Sequence, residues 1–84
     1  MNSYFITFRS VTLAQRGERS LRRGGMECVL QRTPRWMEER GCGYCLRVRP
    51  AEAGKAVARL RGEGVGFSKV FAVNEKGSAE EVTV

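Results

Sequence analysis

The sequence contains neither histidine nor aspartate, and only two of its 84 residues are proline. Without histidine there is no ordinary general base near neutral pH, and the serine-type triad and most zinc sites are excluded within one chain. Cysteine, glutamate, lysine, arginine and tyrosine are left to carry any chemistry, and neither a cofactor nor a metal is expected. No apolar run approaches the roughly 18 residues of a membrane span, and the N-terminus lacks a basic segment followed by an apolar stretch of signal-peptide type. The expectation is a cytoplasmic protein that does not enter a membrane. Three cysteines, an odd number without an export signal, read as thiols held reduced by the cell rather than as a disulfide framework.

What is present is a globular composition, 42% hydrophobic and 29% charged, in a chain long enough for one small core. Residues 1–73 are expected to form a single domain, and residues 74–84 a tail or a short added strand. The net charge of +6 is lopsided: residues 1–49 hold ten arginines against four glutamates, whereas residues 50–84 balance five bases with five acids. A basic half of this kind suits nucleic acid, an anionic ligand or an acidic protein surface, and charge alone does not choose among them.

Residues 4–8 alternate aromatic and β-branched side chains and predict a strand. Ser10 or Thr12 can cap a following helix whose apolar stripe is Leu13, Ala14, Gly17 and Leu21, with Gly24 and Gly25 ending it. Residues 26–31 alternate again, Met26, Cys28 and Leu30 on one side and Glu27, Val29 and Gln31 on the other. Residues 32–43 then lose all periodicity, and connections of this length in a small domain tend to be functional or mobile. Residues 44–49 give a third strand with Tyr44, Leu46 and Val48 on one face and Cys45, Arg47 and Arg49 on the other. Pro50 and Glu52 suit a helix's first turn, Ala53, Val57, Leu60 and Gly64 share a face behind them, and a last strand covers residues 67–73.

The order predicts an α+β fold, a ferredoxin-like βαββαβ sandwich with a four-stranded antiparallel sheet and two helices on one face. The other sheet face, with Phe5, Thr7, Val29, Cys45, Arg47 and Arg49, is expected to stay open. Such a face suits a partner chain or ligand and leaves room for a homodimer.

Cys42 stands first among the candidate residues, because Gly41 and Gly43 on either side leave its sulfur accessible. Arg35, Arg40 and Arg47 would favour its thiolate if the fold brings them near. Thr33, Pro34 and Arg35 form a rigid turn that presents a guanidinium beside the same loop, where it could hold an anion or a partner carboxylate. Cys42 and Cys45 have CxxC spacing, but the pair precedes a strand instead of following one and opening a helix, so the thioredoxin context is reversed. A reversible disulfide between them depends on geometry rather than spacing. Cys28 faces the expected core and is left out of the site. Residues 40–47 partly overlay the RNP1 pattern, with Arg40, Gly41, Gly43 and Tyr44 in place. Cys42 and Arg47 replace its first and last aromatic positions, however, and Tyr44 has core-facing parity. With no stacking platform, nucleic acid is not the expected partner.

Tyr4-Phe5-Ile6-Thr7-Phe8, the helix residues Ser10, Ala14, Glu18 and Leu21, the turn Thr33-Pro34-Arg35, and Cys42-Gly43-Tyr44 with Leu46-Arg47 together resemble the Se/S carrier protein-like family over about residues 3–73. The resemblance implies a carrier of sulfur or selenium, as a persulfide or selenosulfide on Cys42, rather than an enzyme with its own turnover. Protein partners follow from it, a desulfurase-like donor and an acceptor. Cys45 stands where the family pattern does not require a thiol, which leaves a second, resolving cysteine open. The alternatives are a dithiol switch built on Cys42 and Cys45, and a non-catalytic ferredoxin-like module that binds an anionic ligand, nucleic acid or a protein through its arginines.

Overall fold

The computed structural model describes residues 3–33, 43–74 and 79–82. Strand β1 (Ser3–Phe8) leads into helix α1 (Val11–Arg23), followed by β2 (Cys28–Arg32) and β3 (Tyr44–Val48). A 3-10 turn (Pro50–Glu52) opens directly into α2 (Ala53–Gly62), and β4 (Val70–Val73) and β5 (Ala79–Val82) complete the order. Of the two candidate caps it is Ser10 that acts: its backbone is extended and its hydroxyl accepts the Leu13 N–H at 3.2 Å.

Both helices stop in the same way. At the end of α1, Gly25 has φ 79°, its N–H reaches the Arg22 carbonyl, and the Met26 N–H reaches Leu21. At the end of α2, Gly64 has φ 70°, with bonds from Gly64 to Arg61 and from Val65 to Leu60. This is the Schellman pattern, in which a left-handed residue turns the chain so that the last carbonyls find donors. In each case an apolar residue just past the turn, Met26 or Val65, packs with the main core.

The strands form one antiparallel sheet in the order β2-β3-β1-β4-β5. Strand alternation puts Ile6, Phe8, Cys28, Leu46, Val48 and Val70 on one face, where they meet Ala14 and Leu21 of α1 and Ala53, Ala56, Val57 and Leu60 of α2 in the main core. Tyr44 packs against this cluster, as its parity predicts. Gly17 lets α1 approach the sheet closely: a Cβ there would lie 2.9 Å from Phe8 Cζ and 3.2 Å from Leu46 Cδ1. Across the helices, Arg59 Nε donates to the Ser20 carbonyl at 2.6 Å, and the Glu63 carboxylate accepts from the Ser20 hydroxyl and faces Arg23 and Arg59.

Several expectations need correction. The sheet has five strands among the described residues, not four, because residues 79–82 pair with β4 from Val73↔Ala79 to Val70↔Val82. Strand β4 begins at Val70 rather than at 67. Just before it, Ser68 N–H bonds the Thr7 carbonyl while Lys69 N–H bonds the Thr7 hydroxyl, so the regular ladder starts only afterwards. The sheet face away from the helices is also not open at its centre. Phe5, Thr7 and Cys45 are buried there, and Phe71 and Val73 pack against Phe5 and Cys45.

Candidate functional site

The described residues that flank the predicted site lie at one end of the β2–β3 pair. Arg32 stands opposite Tyr44 in the register, and one step further the Thr33 N–H donates to the Gly43 carbonyl at 3.0 Å. The two residues that bracket the candidate segment are therefore tied to each other. Pro34, Arg35, Arg40, Gly41 and Cys42 lie outside the described residues.

Thr33 is buried at this root, and its Oγ1 has no hydrogen-bond partner among the described residues. A buried hydroxyl left unpaired costs about 1–3 kcal/mol, which is unusual for a residue that merely leaves a strand. The sequence marked Thr33 as part of a turn but gave no sign of this burial. Arg47, on the face away from the helices, is exposed and stands opposite Val29 on β2 and Phe5 on β1.

The two described thiols are both sealed. Cys28, at 5% exposure, faces α1, and its Sγ lies 4.0 Å from the Glu18 carbonyl. Burial pushes this thiol above its ordinary value of 9.0; the Arg22 guanidinium opposes that rise and the Glu18 carboxylate adds to it. Cys45, at 0% exposure, sits between Gln31 and Thr7 across the strands and packs with Phe5. It is a thiol rather than half of a disulfide. The sequence placed Cys28 in the core correctly, whereas it set Cys45 on a face that was expected to be open.

The sequence model of the Putative Se/S carrier protein-like family matches residues 3–72, from the first residue of β1 almost to the end of β4. The chain belongs to this family. Its matched region takes in both helices, the first four strands short of Val73, and every candidate residue from Thr33 to Arg47. Strand β5 lies beyond it. No curated protein and no solved structure matches the chain. No helix among the described residues is long and apolar enough to cross a membrane.

Proposed function

We propose that this member of the Se/S carrier protein-like family carries sulfur or selenium on Cys42, as a persulfide or selenosulfide, from a desulfurase-like donor to an acceptor. The observation that carries the reading is the sealing of the other two thiols: Cys28 is 5% exposed and Cys45 is fully buried, so neither meets a partner's active site without local opening. Of the chain's three cysteines, Cys42 is the one that remains for transfer. The anchored pair Thr33 and Gly43 supports it by fixing where the segment leaves the sheet and rejoins it.

The chemistry needs no acid or base from this chain. The Cys42 thiolate attacks the outer sulfur of a donor persulfide, one S–S bond forms as another breaks, and the donor cysteine leaves as a thiolate. No electrons are gained or lost overall, and a terminal selenium moves by the same displacement. Arg35 and Arg40 are assigned to stabilising the anionic adduct, Pro34 and Gly41 to shaping the loop, and Arg47 to the basic surface that meets partners. The scaffold is read as ferredoxin-like, since β2-β3-β1-β4 with two helices on one face has the split βαβ order, and β5 extends it at an edge. A cytoplasmic setting belongs to the same proposal, since an odd number of cysteines suits a reducing compartment. Use of Cys45 as a resolving thiol would require opening the second sheet face first, which makes a fast dithiol switch the weaker reading.

Intact mass spectrometry after incubation with a cysteine desulfurase and cysteine tests the proposal. The expected result is a reductant-labile gain of one sulfur that disappears in Cys42→Ser. The same gain in that variant, or no gain in the wild type, refutes it.

A further inference from the structure

Among the described residues, the outer edge of β2 is an unpaired border of the sheet, and it ends at Thr33. The Thr33–Gly43 bond fixes the parity of the β2–β3 ladder, so Val29 and Gln31 bond inward to β3 while Cys28, Leu30 and Arg32 direct their N–H and C=O groups outward. The Cys28 carbonyl is taken at 3.2 Å by the Arg22 guanidinium, which reaches over from α1. The backbone groups of Leu30 and Arg32 bond to nothing among the described residues. They form a short open template, closed at one end by Arg22 and leading at the other toward Thr33.

What surrounds the template is basic. Arg32 is exposed on it, Arg22 flanks it, and Arg47 stands one strand in on the opposite face. Glu18, the one carboxylate on α1, is already held by Arg22, and Glu27 at the far end is held by Arg49 at 2.6 Å. All ten bases of residues 1–49 are arginine and none is lysine. Guanidinium grips a carboxylate through two parallel bonds, and arginine is enriched and lysine depleted at protein interfaces. Val29 adds an exposed apolar side chain, at 46%, on the face away from the helices.

We infer that the β2 edge, with the flank of α1 above it, receives an extended acidic segment of a partner protein as an added strand. Main-chain bonds to Leu30 and Arg32 would hold the segment, and the exposed Arg32 would select its carboxylates. A second copy of this chain fits poorly. A two-fold antiparallel pairing centred on Leu30 sets Arg32 opposite the other copy's Cys28 and hence beside its Arg22, which places like charges together. The acidic strand of this chain, β5, is already paired with β4, and offering its outer edge to β2 of a neighbour would give an open chain of molecules rather than a closed dimer. The inference stands apart from sulfur loading, because the cysteine on this edge, Cys28, is buried toward α1.

The test uses the whole chain and a fluorescent peptide of alternating glutamate and valine. Binding is followed by anisotropy, and amide hydrogen exchange is read residue by residue. The expected result is slowed exchange at Leu30 and Arg32, affinity about tenfold weaker in Arg32→Glu, and no change in Arg16→Glu, on the outer side of α1. A peptide of the same sequence, N-methylated at alternate residues to remove its strand donors, is expected to lose binding without any change to the protein. Equal binding of the methylated peptide or of a lysine-valine peptide would overturn the inference, as would protection confined to other residues. Protection of the edge that rises with protein concentration and needs no peptide would assign it to self-association. Arg32-dependent binding of oligothymidylate without exchange protection would assign the arginines to nucleic acid. Either of these last two results also overturns the inference, and none of the readouts involves a donor enzyme or sulfur.

Discussion

Thiol reactivity offers the sharpest check on the carrier reading. A small disulfide reagent such as Ellman's reagent, added in excess at pH 8, reacts with thiolate that it can reach. With Cys28 at 5% and Cys45 at 0% exposure, both must wait for the fold to open. If that opening costs about 5 kcal/mol, the lower end for a stable domain, the two thiols react roughly 4,000-fold more slowly than an exposed one. The expected trace is one fast equivalent, absent in Cys42→Ser, followed by two slow equivalents whose rates rise together with denaturant. Two fast equivalents in the wild type, or one that persists in Cys42→Ser, would refute the argument, since a sealed thiol would then be reachable in the native state.

Three further outcomes follow from the packing and the charges. Replacing Gly17 by valine adds methyl groups where even a Cβ would lie 2.9 Å from Phe8 Cζ, and denaturant unfolding should show a loss of about 2 kcal/mol. Gly64→Ala keeps the open space around the residue but forces a side chain onto φ 70°, and should cost about 1 kcal/mol in the same assay. The third concerns pH. Cys28 binds its proton more tightly when folded, so its contribution to stability is complete below the unfolded thiol value and is lost as pH rises through the folded one. Unfolding midpoints should therefore fall above pH 9 more steeply in the wild type than in Cys28→Ala, and parallel curves would contradict it.

Strand parity was the most legible property of the sequence. Tyr4, Ile6 and Phe8, then Tyr44, Leu46 and Val48, lie on the helix-covered face as their alternation predicts, because a pleated strand sends successive side chains to opposite sides. Helix ends were legible for a similar reason: Gly25 supplies a left-handed turn that other residues resist, and Ser10 has the oxygen to cap α1. Strand β5 was harder to read. Residues 79–82 carry two adjacent glutamates, and a strand on a sheet edge gains its stability from pairing with β4 rather than from any periodicity of its own.

The sequence by itself determined which residues share a face, where α1 ends, and that Cys42 is the thiol set between glycines. Tertiary structure alone decided that Cys45 is sealed, that Thr33 is buried with no partner for its hydroxyl among the described residues, and that Arg22 closes one end of the β2 edge. The reason is distance along the chain. Parity and capping act between residues a few positions apart, whereas burial of Cys45 depends on Phe5, forty residues earlier, and on the second-face packing that only the assembled sheet creates.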